Sequence, residues 1–333
     1  MKGLSEINKK EIQSDFKKRF PEYSDGVRTF AVANDLTLFG NGFEGSEREY
    51  YSLPVSVRTY LSLVMCDDGK FSFQLSDSNN EYTSATDELT MFKEKDFEEE
   101  IFKTISHNRK SSNGAKMLFS FDVNTKSFMK SAACVKTAFS LIGDGKIDES
   151  VDDGECNWEC LLRGRKNYLI SQKGNYIPLD LSGYKIIFAI TDFKKEKGSL
   201  IQRLNKIGND IPEEGCFCDS TEKYIINELN RIKKLSEKPK TEEILQMLKQ
   251  SGLEYCEVVQ KNSEMLKKMM KAAYNSGLCS AAVPAIKYSS LVVFVKEEKT
   301  DEFISIFSES GQLASGSQIS FCITQSENSG VEV

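Results

Sequence analysis

Pro54 limits the fold of this chain more than any other single residue. It stands nine residues after Gly45 in LFGNGFEGSEREYYSLPVSV, where Gly40, Gly42 and Gly45 spell the G-x-G-x-x-G of a dinucleotide-binding turn. Such a turn follows a strand, and the run TFAVA supplies one. It also needs its third glycine to open a helix that crosses back over the sheet. Proline lacks the N–H of an internal helical turn, and its ring clashes with a preceding carbonyl. A crossover of about ten to twelve residues does not fit between Gly45 and the next strand-like run, TYLSLVMC. A nicotinamide-dependent oxidoreductase on a doubly wound sheet is thereby set aside.

The remaining pattern is a strand-rich half followed by a helical one. VRTYLSLVMC, KFSFQL, MLFSFD, NYLIS and YKIIFAIT run or alternate apolar as strands do. Between them lies SFMKSAACVKTAFSLI, with Phe128, Ala132, Val135, Phe139 and Ile142 at helical intervals, followed by the acidic loop GDGKIDESVDDGE. The segments TEKYIINELNRIKKL, TEEILQMLKQ and NSEMLKKMMKAAYNSG each open on Thr or Asn, good N-cap residues. The last closes on Gly277, a C-cap signal. A strand LVVFV, a helix TDEFISIFSES and a strand QISFCIT finish the chain. The class is α+β, with a boundary near residue 180.

Composition removes several functions. The 333 residues suffice for two domains. The net charge of -6 comes from 44 basic and 50 acidic residues, and the basic ones sit in short clusters among acids. No basic face emerges, so nucleic acid is not an expected partner. No apolar run reaches the roughly 18 to 20 residues of a membrane span. The polar N-terminus lacks the core of a signal peptide. A cytoplasmic location without a membrane partner is expected. The run KEKDFEEEIFK, from Lys93 to Lys103, reads as a solvated helix face. Nine cysteines include the pairs Cys156/Cys160 and Cys216/Cys218, with no second pair at zinc-site spacing, so no metal is expected. The single histidine, His107, stands in the polar segment ISHNRKSSNG, which leaves Ser-His or Cys-His catalysis without its base.

A resemblance covers nearly the whole chain. FKKRFPEYSDGVRTFAVANDLTLFGNGFEGSEREYYSLPVSVRTYLSLVM is similar to the N-terminus of the galactokinases, where A-P-G-R-V-N-L-I-G-E-H-T-D-Y-N-G-G leads to L-P-M-A-I. GECNWECLLRGRKNYLIS resembles the family's G-I-M-D-Q-F-A-S-L-F-G-K-x-G-x-x-L-L-I-D. PLDLSGYKIIFAITDFKKE resembles its next strand, and LKQSGLEYCEVVQKNSEMLKKMMKAAYNSG its helix pair. The matches fall in the family's order. The resemblance is to the GHMP kinase superfamily, and it implies a two-domain fold. Residues 1–181 would form a domain like domain 2 of ribosomal protein S5, carrying the sugar-binding segment; residues 182–333 would form a ferredoxin-like domain.

The resemblance also locates a site, and the chemistry there has changed. Phosphoryl transfer is mostly positioning and electrostatics. The family's Arg of A-P-G-R maps to Asp35, which reverses a charge near the transferring phosphate. Its Glu-His pair maps to Asn41 and Gly42, and its sugar-binding Asp to Glu44; these three make a degenerate sugar site. The glycine of L-I-G remains as Gly40. The phosphate loop G-L-S-S-S-A-A becomes TKSFMKSAAC: Thr125 and Ser127 replace glycines, Phe128 and Met129 would crowd the mouth, and only Ser131, Ala132 and Ala133 hold, with Ser131 and Ala132 as a remnant cofactor site. Lys130 reads as a surface residue. The catalytic Asp maps to Asn157, which cannot take up a proton at neutral pH; it reads otherwise as a loop residue. In the glycine-rich third motif, Pro284, Ile286 and Tyr288 fill glycine positions. The resemblance thus implies a galactokinase-like pseudokinase that needs no cofactor and binds a small sugar, a metabolite or a protein. The alternative is an active sugar kinase using Mg-ATP, with Asp152 or Asp153 as base.

Overall fold

A computed structural model describes residues 9–43, 48–85, 97–108, 113–123, 130–142, 157–191, 220–258, 263–285, 288–316, 318–329 and 331–332. Two sheets organise them. The first has eight strands: β1 (Arg28–Phe39), β2 (Tyr51–Cys66), β3 (Lys70–Leu75), β4 (Glu81–Ala85), β5 (Gly114–Phe121), β6 (Tyr168–Ser171), β7 (Tyr176–Pro178) and, from the far end of the chain, β12 (Val331–Glu332). Its path is β12-β1-β2-β5-β3-β4, with β6 and β7 attached to the start of β2. The second has four antiparallel strands: β8 (Tyr184–Ile190), β9 (Cys279–Ala285), β10 (Ser290–Lys296) and β11 (Ser320–Thr324). Their order is β11-β8-β10-β9. Counted within this sheet, that is 4-1-3-2 with helices after the first and third strands, the split βαβ arrangement of a ferredoxin-like unit.

Helices cover both sheets. α2 (Phe97–Asn108) and α3 (Ser131–Leu141) bury Ile101, Phe102, Ala133, Val135 and Phe139 against Phe71, Phe73, Met117 and Phe119 of the first sheet. The acidic run read as a solvated face therefore has an apolar side, at Ile101 and Phe102. α1 (Lys9–Arg19) lies on the opposite face, with Phe16 and Phe20 against Leu118. In the second half, α5 (Ser220–Leu235), α6 (Thr241–Val258), α7 (Ser263–Asn275) and α8 (Thr300–Ser315) pack on the second sheet. α8 stops at Gly316, whose φ of 69° and N–H bond to Gln312 O make a left-handed C-cap. The short helix α4 (Trp158–Arg163) fits no apolar period long enough to read from sequence.

One apolar core runs through both sheets, from Leu36, Leu38 and Phe39 at the end of β1 to Phe188, Phe294 and Ile232. A bulge makes this possible. The β1–β2 register shifts between Ala33 and Asn34, where Ala33 faces Arg58 but Asn34 faces Val55. Bulges bend a strand and re-aim its side chains. Phe30 and Val32 before the shift face α2 and α3, while Leu36 and Leu38 after it face the second half. Ser56, inside the shift, donates its N–H to Gln325 O at 2.9 Å. Pro54 sits in the same stretch as a strand residue opposite Asp35, and its carbonyl accepts from Glu327 N at 3.0 Å. β2 pairs with β5 only from Thr59 onward, so the missing N–H of Pro54 interrupts no ladder with β5.

Candidate functional site

Four stretches far apart in the chain meet around Asp35, in the middle of β1. The Asp35 carboxylate is fully buried. One oxygen accepts the backbone N–H of Asn157 at 3.0 Å. The other lies 3.4 Å from the Lys130 ammonium and 3.3 Å from the Tyr288 hydroxyl. Tyr288 OH also donates to the Asp35 carbonyl. A buried carboxylate is tolerated only when paired and hydrogen-bonded, and every contact here answers that need.

Each partner is itself held. Lys130 precedes α3, gives its backbone N–H to Thr59 Oγ1 at 2.8 Å, and places its ammonium 5.5 Å from the centre of the Tyr288 ring. Only 7% of Lys130 is exposed, which corrects its reading as a surface residue. Lysine is seldom buried without a countercharge, and Asp35 provides one. Asn157 is the N-cap of α4 rather than a simple loop residue. Its Oδ1 accepts from Cys160 N at 3.0 Å and its Nδ2 donates to Ile170 O at 2.7 Å. Both ends of the amide are thus engaged, and the residue is fully buried. Tyr288, 2% exposed, stands edge-on to Phe188.

The segment mapped to sugar binding forms a second cluster. Gly40 and Gly42 have φ of 75° and 86°, and Phe43 N closes a turn on Gly40 O at 2.8 Å. A side chain at Gly40 would bring its Cβ within 2.6 Å of Tyr50 Cβ. Helix α5 caps this turn. Glu228 Oε1 accepts the Gly40 N–H at 2.8 Å, and the Tyr224 hydroxyl donates to Asn41 O at 2.9 Å. Asn41 Nδ2 turns back to Leu38 O at 3.4 Å. Glu228 is fully buried and receives Arg231 at 2.7 Å; Arg231 in turn reaches Glu254 at 2.6 Å. Burial raises the Glu228 carboxyl above its ordinary range, and the Arg231 guanidinium and the Gly40 N–H pull it back.

Asp35, Lys130, Asn157 and Tyr288 therefore share one cluster, and Gly40, Asn41 and Gly42 another. Ser131 opens α3, and Ala132 is buried within it. Glu44, Thr125, Ser127, Phe128, Met129, Asp152, Asp153, Ile286 and the cysteines 156, 216 and 218 lie outside the described residues. Among the described residues, no group of three or more His, Cys, Asp or Glu side chains could hold a metal ion. No described helix is long and apolar enough to cross a membrane.

Sequence reasoning missed Tyr224, Glu228, Arg231 and Glu254. A signal existed: Tyr224, Glu228 and Arg231 fall at i, i+4 and i+7 on the apolar stripe of an amphipathic helix, where an unpaired charge would be costly. Of the remnant cofactor segment, the described groups at the start of α3 are engaged within the protein. The Lys130 N–H is given to Thr59 and its ammonium faces Asp35.

No family model and no curated protein sequence matches the chain. Solved structures do. The galactokinase of Lactococcus lactis, complexed with galactose, superposes with a TM-score of 0.68 at 12% identity, over 96% of this chain and 98% of that one. The mevalonate kinase of Methanococcus jannaschii gives 0.63 at 11%, over 90% and 98%. The mevalonate pyrophosphate decarboxylase of Streptococcus pyogenes gives 0.58 at 11%, over 91% and 97%. With its eight-stranded first sheet and its 4-1-3-2 second sheet, the chain has the α+β GHMP kinase fold that galactokinase and mevalonate kinase share.

Proposed function

We propose that this protein is a galactokinase-like pseudokinase, with a binding or regulatory role in place of phosphoryl transfer. The observation that carries the reading is the state of Asp35 and Asn157. These positions map to the family's arginine and catalytic aspartate, and they now bond to each other inside the protein. A carboxylate where a phosphate-stabilising cation belongs repels the developing charge. An asparagine whose amide caps a helix cannot accept a hydroxyl proton. The Lys130 ammonium and the Tyr288 hydroxyl take the other carboxylate oxygen of Asp35. On the sugar side, the Asn41 carbonyl and the Gly40 N–H are taken by α5, so a sugar would have to displace Tyr224 and Glu228. A small sugar or metabolite held by Asn41, Gly42 and Glu44, or a protein partner, remains the kind of ligand this reading assigns. This reading keeps residues 1–181 and 182–333 as its two domains, with the closing segment crossing back to pair β12 with β1.

One observation favours an active kinase instead: Lys130 and Asp35 put one cation and one carboxylate together, the charges that phosphoryl transfer uses. The two readings part on Mg-ATP. A ligand present at a hundred times its Kd stabilises a protein by about 2.7 kcal/mol. The pseudokinase reading expects no rise in melting temperature with Mg-ATP, alone or with galactose. A rise of several degrees, lost in Lys130→Met, favours the kinase.

A further inference from the structure

The edge of β2 has a gap, and the closing segment of the chain fills it. On its side away from β1, β2 pairs with β6 at Tyr51 and Ser52 and with β5 from Thr59 onward. Between those ladders, among the described residues, no strand of the sheet adjoins residues 53–57 on that side. The residues that follow β11 take the place. Gln325 O accepts the Ser56 N–H at 2.9 Å, and Glu327 donates its N–H to Pro54 O at 3.0 Å. Val55 and Ser326 face each other as an antiparallel bridge. The Glu327 carboxylate lies 3.7 Å from the Arg58 guanidinium.

The same segment grips the loop after α4. Ser329 donates its N–H to Gly164 O at 3.0 Å, Asn328 Oδ1 accepts from Lys166 N at 2.9 Å, and Ser326 Oγ accepts from Asn167 N at 2.6 Å. A Cβ at Gly164 would stand 2.5 Å from Ser329 Oγ and 2.9 Å from Pro54 Cβ, so the segment runs hard against that glycine. Beyond it, β12 pairs with Phe30 and Ala31 of β1. These anchors bracket the Asp35 centre. Pro54 stands opposite Asp35, and α4 carries at its other end Asn157, whose N–H goes to the Asp35 carboxylate. The attachment itself is polar. None of the described side chains from Ile323 to Ser329 joins an apolar core; Ile323 is 41% exposed, and Asn328 is exposed. Segments held by hydrogen bonds with few buried apolar contacts open at the low end of a protein's local stabilities.

We propose that residues 325–329, with β12, are a releasable strap that docks in the β2 gap as an added strand and holds the Asp35 centre closed. Docked, it fixes Pro54 and the far end of α4, and with them the Asn157–Asp35 bond. Released, it frees that bond and leaves the gap open to an extended peptide, the strand-addition mode of recognition. This is independent of whether the Asp35 centre transfers phosphate, so the two claims fail separately. The test uses the full chain. Glu327→Pro removes the N–H given to Pro54 and the carboxylate near Arg58. By NMR hydrogen exchange, the Asn157 amide should exchange about tenfold or more faster in this variant, while the amides of β10 keep wild-type protection. A fluorescent peptide with the strap's sequence, QSENSGVEV, should bind the variant saturably and slow Asn157 exchange again. Wild type, whose gap is filled, should bind it more weakly by about tenfold or more, and a scrambled peptide should bind neither. Unchanged Asn157 exchange in the variant would overturn the proposal. So would loss of protection in β10 together with Asn157, since the strap would then be integral to the fold. Failure of the variant to bind the peptide, or equal binding of the peptide and its scramble, would overturn it as well.

Discussion

Removing the charge from Asp35 would strand the Lys130 ammonium inside the protein. Breaking a buried pair from one side typically costs about 3–5 kcal/mol, whereas replacing both partners by apolar groups is often near neutral. Asp35→Asn should therefore lower the urea-unfolding free energy by roughly that amount, and a Lys130→Met change added to it should recover most of the loss. Additive losses would show that the pair is not coupled. Burial also sets thiol reactivity. It pushes the Cys256 and Cys322 thiols up to about 12, so both should resist iodoacetamide at pH 8 in the folded protein and react in urea. Alkylation of either in the folded state would contradict their placement. At this scale the sequence singled out Asp35 and Asn157, and the fold brings the two into direct contact. Lys130 was misread because surface statistics describe an average lysine. Its countercharge lies on a strand 95 residues earlier, and only the fold brings the two together.

Among the elements, α5 and the turn at the end of β1 act as one unit. Gly40→Ala would require a positive φ of a residue with a side chain and would drive its Cβ into Tyr50. A loss of about 2 kcal/mol or more is expected from strain and overpacking together, read from a shift in the denaturation midpoint. Glu228→Gln keeps the shape and an acceptor for Gly40 while removing the charge opposite Arg231. Its cost should be smaller in an Arg231→Met background than alone; equal costs in both backgrounds would deny the coupling. The main strands and helices were legible, because long apolar periods of two or 3.6 are hard to mistake. α4 was not, since six residues carry too little period and its start depends on the Asn157 cap. The β1–β2 bulge was equally hidden: its anchor at Gln325 comes from the far end of the chain.

In the whole molecule, the two sheets share one core, and the closing segment of the chain returns to the first sheet through β12. The order of the family-like motifs along the chain carried the fold, because order and spacing survive when side chains change. The contacts around Asp35 and Gly40 did not follow from that order. The Tyr224–Glu228–Arg231 cap depends on a helix that none of the motifs includes, and the sealing of Asp35 depends on four segments meeting. The central test is whether the Asp35 centre turns over. The purified protein should be given Mg-ATP and a panel of sugars including galactose, with ADP release followed continuously. A pseudokinase should show no sugar-dependent ADP release. Turnover of about 1–100 s⁻¹, the range of working kinases, abolished by Asp35→Asn, would contradict it.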